Sequence, residues 1–263
     1  MKLWLGTGLV AQDDARISPL DRGFTLGDGL FETLRVREGA VLRLYAHLAR
    51  LATGAGVLGL PLPTLDLAAA LAATVEANGL AEGVLRLTLS RGIGPRGVLP
   101  PAEPNPTLVI TAAPLPPPAA PARLVIAQGT RRNDRSPLAQ VKSLNYLDNI
   151  IARQEAARRG ADDAVLLNTQ ERVAETSIAN VFAVIDGDLV TPPLSEGVLP
   201  GIMRAAVLAE GAGERPLTPQ DLSRAEEIFL TSALGIRSVV ALEGRALPGH
   251  GAAERLRARI AGA

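Results

Sequence analysis

Cysteine is absent from the 263 residues, and histidine occurs only at His47 and His250. The first absence excludes a disulfide framework, thiolate chemistry and a Cys-ligated metal. The second leaves too few ligands for a His-rich metal site, so no metal is expected. An excess of one charge is also missing, because 27 Lys+Arg stand against 27 Asp+Glu. That balance gives no general attraction to nucleic acid or to an anionic membrane surface. No apolar run approaches the ~20 residues that a membrane span needs. The opening stretch MKLWLGTGLVAQDDAR meets acids too early for a secretory signal. Hydrophobic residues make up 47% of the chain and charged ones 21%, a globular composition. The expectation is a soluble cytoplasmic protein of one large or two small domains.

Lysine is the scarce cation. It occurs at Lys2 and Lys142, and arginine fills the other 25 basic positions. Arginine stays protonated and is a poor nucleophile, whereas a partly desolvated lysine amine can form a Schiff base. Lys2 is terminal and solvated. Lys142 lies mid-chain in LAQVKSLNYLDN, between apolar neighbours. A retained surface lysine and a functional amine are both open on composition alone.

The pattern mixes strands and helices throughout. Residues 2–5 and 8–11 read as a hairpin turning at Gly6 and Gly8, and 30–36 and 40–44 as strands joined at Glu38-Gly39. Helices are expected over 47–58 and 65–78, the latter ended by Gly79. In 84–90, Leu85, Leu87 and Leu89 alternate with Arg86, Thr88 and Ser90, as in a half-buried strand. Residues 107–113 form another. The stretch PLPPPAAPA, 114–122, is a stiff extended connector between a domain over 1–113 and another over 123–263. Beyond it, 122–128 is a strand. A helix over 144–159 puts Leu144, Leu147, Ile150 and Ile151 on one face. Strands follow at 164–168, 180–185 and 188–191, the last two joined by Asp186-Gly187. A helix over 201–210 and a cap at Thr218 come next. Strands over 227–232 and 238–242 close the pattern.

Two glycine patterns imitate phosphate loops. Gly6-Thr-Gly8-Leu-Val-Ala11 and Gly92-Ile-Gly94-Pro-Arg-Gly97 have the spelling of a dinucleotide fingerprint, but neither leaves room for the helix that the mechanism requires. Both are read as turns, the second carrying Arg91 and Arg96 as a possible anion site. In Asp21-Arg-Gly-Phe-Thr-Leu-Gly-Asp-Gly-Leu-Phe-Glu, Asp28 is expected to cap backbone N–H groups of a tight turn. His47 and Arg50 share a helix face, where Arg50 could hold a phosphate bidentately. Glu175 lies in an apolar run and needs a partner. Gly201-Ile-Met-Arg offers bare N–H groups at a helix start, and Thr231-Ser232 offers hydroxyls at a strand end.

In order along the chain, GDGLFETLRV, AHLARL, SRGIGPRG, VKSLNYLDN, VAETSIANVF, LPGIMR and FLTSAL resemble the fold-type IV pyridoxal-phosphate enzymes. That family includes branched-chain and D-amino acid aminotransferases and 4-amino-4-deoxychorismate lyases. The resemblance implies a mixed α/β fold of two domains: a smaller N-terminal α/β domain and a C-terminal pseudo-barrel. It implies pyridoxal 5'-phosphate held covalently by Lys142, with Glu175 at the pyridinium nitrogen and Tyr146 at the phenolic oxygen. Arg50, the backbone of Ile202 and Met203, and Thr231 and Ser232 match the phosphate contacts. It also implies a homodimer with its pocket between the domains. GIMR in place of GITR, Ala233 and the SRGIGPRG loop resemble the lyases most. The expected activity is elimination of pyruvate from 4-amino-4-deoxychorismate to give 4-aminobenzoate, a folate precursor, with Arg91 and Arg96 meeting the substrate carboxylates. The alternatives are a class IV aminotransferase and a non-catalytic protein that kept the fold.

Overall fold

The opening hairpin forms where the residues place it, with β1 at Lys2–Leu5 and β2 at Gly8–Ala11. Gly6 takes the left-handed turn conformation between them. The computed structural model describes residues 1–260. It divides into two units. One comprises Met1–Pro117 with Val141–Asn145, and the other Pro118–Gln140 with Tyr146–Ala263. The division passes through the proline-rich stretch, but the segment that carries Lys142 joins the first unit. This departs from the sequence expectation that everything beyond residue 122 forms one domain. The reason is backbone pairing: Lys142 O accepts from Phe31 N at 2.9 Å, and Leu144 N donates to Gly29 O at 2.9 Å.

In the first unit, α1 (Arg22–Leu26) forms where only a turn was expected. The Asp21 side chain caps it, and Gly27 ends it in the left-handed region. Next come β3 (Gly29–Arg37) and the two-residue β4 (Ala40–Val41). The expected strand stops there because the helix α2 (Leu44–Leu58) begins three residues before its predicted start. The helix α3 (Leu67–Ala77) and strands β5 (Gly83–Ser90) and β6 (Thr107–Pro114) complete the unit. The sheet order is β2-β1-β6-β5-β3-β4. Leu30, Leu34, Leu85, Leu87, Leu89, Leu108 and Ile110 form its core face with residues of α2 and α3. Strand alternation sends Phe31, Arg35 and Arg86 to the other face.

The second unit begins with β7 (Ala122–Ile126) and α4 (Leu147–Arg158). The expected hydrophobic face of α4 is turned outward, with Leu147 74%, Ile150 48% and Ile151 44% exposed. Ala152 and Ala156 pack inward instead, against Val125, Ala164 and Leu166, so the helix rests closely on the sheet through small side chains. The strands β8 (Asp163–Leu167), β9 (Val173–Thr176), β10 (Asn180–Ile185) and β11 (Asp188–Thr191) follow. Then come α5 (Ile202–Ala209), β12 (Gly213–Glu214) and α6 (Pro219–Arg224). The Thr218–Asp221 capping box starts α6. The strands β13 (Glu227–Ser232), β14 (Gly235–Leu242) and β15 (Arg245–Ala246) precede α7 (Gly251–Arg259), a helix the sequence reading missed. The strands β10-β13-β14-β7-β8-β9 pair in succession, and β9 pairs back onto β10 through Asn180 and Glu175. This ring is the expected pseudo-barrel. No helix among the described residues is long and apolar enough to cross a membrane.

Candidate active site

The first unit presents Lys142 on the open face of its sheet. Ser143 bridges Leu30, so the Lys142 segment continues the sheet beside the start of β3. The Lys142 amine stands 4.4 Å from the centre of the Phe31 ring, and the Arg86 guanidinium is stacked over the same ring at 3.9 Å. Each cation is favoured by the ring's negative face. Lys142 is half-buried, which suits an amine that must be both reachable and partly desolvated.

Glu32 is the next residue of β3 and faces the core side, where a carboxylate needs partners. It is 1% exposed and accepts from Arg50 Nε at 2.8 Å, from Arg50 Nη2 at 2.5 Å and from His47 Nδ1 at 2.7 Å. Burial alone would raise the Glu32 carboxyl. Hydrogen bonds from His47 and Arg50, with their charge, outweigh burial and hold it below its ordinary value. The expected i, i+3 pair of α2 is thus gathered on one acid, and Arg50 is fixed through one edge of its guanidinium.

Arg91 is corrected by the structure. It is 3% exposed, and each of its three nitrogens has a structural acceptor. Nε donates to Asp28 at 2.8 Å, Nη1 to Gly59 O at 2.8 Å and Nη2 to Leu58 O at 2.8 Å. It braces the end of α2 and does not meet a substrate carboxylate. Asp28 likewise caps no turn here. It accepts from Arg91 and, at 2.8 Å, from Arg22 Nε. Burial would raise its carboxyl, but the two arginines hold it below the usual range. Arg22 also gathers the Gly97, Val98 and Leu99 carbonyls, which fixes the loop on which Arg96 is exposed.

In the second unit, the candidate residues lie at the barrel seam. Glu175, Asn180 and Thr231 lie side by side across β9, β10 and β13. Glu175 is 6% exposed. One of its oxygens meets Arg132 Nη2 at 3.1 Å, and the other accepts from Asn180 Nδ2 at 3.2 Å and Leu199 N at 3.1 Å. Gly201 begins α5 against the same Asn180: an added Cβ would lie 1.9 Å from Asn180 Oδ1. The helix start is therefore bare backbone, and no side chain caps it. The Met203 side chain is in the apolar core with Phe182, Val207 and Phe229, so this position offers the helix start only its N–H. Thr231 is 2% exposed and its Oγ1 has no hydrogen-bond partner. Ser232 accepts from Leu234 N at 3.2 Å. Tyr146 is half-buried at the start of α4.

Comparison with known proteins decides the family. The model of amino-transferase class IV matches residues 29–242. The chain belongs to that family. It is a fold-type IV enzyme whose cofactor is pyridoxal phosphate. A Methanocaldococcus jannaschii protein assigned as a branched-chain-amino-acid aminotransferase is 36% identical over 94% of this chain and 90% of its own length. The structure of 4-amino-4-deoxychorismate lyase from Pseudomonas aeruginosa is 36% identical, with a TM-score of 0.83, covering 98% of this chain and 97% of that one. The structure of the branched-chain aminotransferase from Thermoproteus uzoniensis with norvaline is 30% identical, with a TM-score of 0.90, covering 98% of this chain and 93% of that one.

The residues of this class IV chain fit the cofactor. The partnerless Thr231 hydroxyl beside an uncapped helix start is an arrangement that a phosphate oxygen satisfies. Glu175, fixed among three donors, is the kind of anion that pairs with a protonated ring nitrogen. Four contributors escaped the sequence reading: Glu32, Asn180, Arg86 and Arg132. Glu32 left a signal, an acid at a core position of an alternating strand. Arg132 left none among so many arginines.

Proposed function

We propose that this protein is a 4-amino-4-deoxychorismate lyase, which splits its substrate into 4-aminobenzoate and pyruvate. One observation carries the reading. Arg86 is stacked 3.9 Å from the centre of the Phe31 ring and the Lys142 amine lies 4.4 Å from the same centre, so a group able to bind a carboxylate shares an aromatic neighbour with the reacting group. The substrate has two carboxylates, one of them on a ring that becomes flat only in the aromatic product. Arg86 replaces Arg91 as the candidate partner for one carboxylate, and Arg96 remains the candidate for the other.

Lys142 would carry the cofactor, and its free amine would serve as the base. When bound, pyridoxal phosphate supplies the sink for the charge left on the substrate carbon. Lys142 takes the proton from the carbon bearing the 4-amino group. The bond from the ring to the enol-ether oxygen breaks, and the leaving enolpyruvate takes up a proton to become pyruvate. Aromatisation drives the step, so no amino acceptor is required. Glu175 would pair with the ring nitrogen and favour its protonated form. Arg50, the N–H groups of Ile202 and Met203, Thr231 and Ser232 would hold the phosphate, and Tyr146 would meet the phenolic oxygen.

The second reading is aminotransfer, favoured by the M. jannaschii relative. Product analysis separates the two. Incubation with 4-amino-4-deoxychorismate should yield 4-aminobenzoate and pyruvate in equal amounts with no amino acceptor added. An amino group passed to 2-oxoglutarate, with no 4-aminobenzoate formed, overturns the lyase reading. The protein is also proposed to work as a homodimer, a reading supported by the exposed apolar stripe of α4 with Ile178 at 60% exposure. Ile151→Glu should then shift the sedimenting mass to that of a monomer.

A further inference from the structure

Arg132 is a hub that the assignments above leave without a role. Its backbone is anchored by donation from its N–H to Leu167 O at 2.8 Å and by a bridge to Asn168. Its side chain is mostly buried, at 17% exposure. Nε donates to Gly197 O at 3.2 Å, and Nη2 donates to Ala139 O at 2.6 Å while lying 3.1 Å from Glu175 Oε1. Gly197 lies close against the same loop, where an added Cβ would lie 3.0 Å from Asp134 Cα. The guanidinium is thus held by two carbonyls in a fixed orientation before it meets the carboxylate. A planar donor held this way imposes direction as well as charge.

The geometry points to Arg132 as a positioning residue for the cofactor ring, acting through Glu175. It fixes the Glu175 carboxylate in one orientation. Asn180 and Leu199 N orient the other carboxylate oxygen, but both are neutral donors that would also tolerate a protonated acid. Of these three donors Arg132 is the charged one, so its bond to the carboxylate is the strongest of the three. This inference rests on the reading that Glu175 serves the ring nitrogen.

The test compares wild type with Arg132→Met, Arg132→Lys, Glu175→Gln and the double variant Arg132→Met/Glu175→Gln. Each is stripped of cofactor, checked for folding by circular dichroism and thermal melt, and titrated with pyridoxal phosphate. Arg132→Met should weaken binding about tenfold, the scale of losing a charged hydrogen bond. Arg132→Lys keeps the charge and should recover part of that loss. In the Glu175→Gln background, removing Arg132 should cost almost nothing more, because its partner is already neutral. The pH midpoint of the bound cofactor's visible band should rise in Arg132→Met, since removing a cation favours every protonated form nearby, and should stay put in Arg132→Lys.

Equal losses in both backgrounds, or a visible-band midpoint that does not move in Arg132→Met, would reduce Arg132 to a loop tie and overturn the proposal. If Glu175→Gln weakens binding and Arg132→Met does not, the Arg132 proposal alone fails. If Glu175→Gln changes neither affinity nor spectrum, the placement of Glu175 fails and takes this inference with it.

Discussion

Replacing Arg91 with Met tests the reassignment of that residue most sharply. Arg91 is 3% exposed and bound to Asp28, Leu58 O and Gly59 O, all at 2.8 Å. Removing one partner of a buried ion pair typically costs 3–5 kcal/mol, because the other charge is left uncompensated. Here Asp28 keeps Arg22, also at 2.8 Å, so the lower end applies. Two carbonyls at the end of α2 also lose charged donors, and the expected loss is about 3 kcal/mol. For a chain of this size that corresponds to roughly 6–12 °C in melting temperature. Differential scanning calorimetry of the holoenzyme measures it. Below the melt, KM should stay within about twofold of wild type, because a brace that touches no substrate changes no binding term. Arg86→Met should show the opposite pattern, a raised KM with a smaller loss of stability. A melting temperature unchanged in Arg91→Met, together with a KM raised about tenfold or more, would put Arg91 back on the substrate and refute the reasoning.

Further outcomes follow from the same structure. Lys142→Ala should abolish the visible absorbance of the bound cofactor and the label left by borohydride; a label on the peptide containing Lys2 instead would remove the chemical assignment. Glu32 has a folded pKa below its unfolded one, so its stabilisation is complete above the ordinary glutamate range and disappears as pH falls through the lowered value. Urea midpoints of wild type and Glu32→Gln should therefore converge as the pH is taken from 6 towards about 3, and a gap that persists undiminished would exclude the linkage. Glu227 accepts from Ala252 N and Ala253 N, both at 2.8 Å, and is 4% exposed. Glu227→Ala should destabilise by about 2 kcal/mol through the lost cap of α7 and its stranded N–H groups. A chemical denaturation curve that overlays wild type would show that the cap contributes nothing.

The parts legible in the residues were those that depend on local rules. Alternation located β5 and its core leucines, and Asp186-Gly187 located the turn between β10 and β11. The proline-rich stretch 114–122 contains the Pro117–Pro118 step at which the chain first passes from one unit to the other. Local rules failed where a distant partner decided the outcome. Leu147, Ile150 and Ile151 share a helix face by spacing, but spacing does not say which face a sheet accepts; Ala152 and Ala156 allow the closer approach. Asp28 was read as a turn cap because Asp next to Gly often is one, and two arginines 6 and 63 positions away in the chain claimed it.

Composition by itself narrowed the candidates for Schiff-base chemistry to one interior amine, that of Lys142, and left its role open. The ordered blocks around it determined the family and so the cofactor. Tertiary structure alone decided which arginine braces the end of α2 and which lies over the Phe31 ring. Arg86 and Arg91 are five residues apart and chemically identical, but strand alternation directs Arg86 to the open face over Phe31, and Arg91 falls beyond the strand end, where Asp28 and two carbonyls enclose it. A side chain's role depends on the acceptors around it, and those acceptors are brought there by pairing between distant segments.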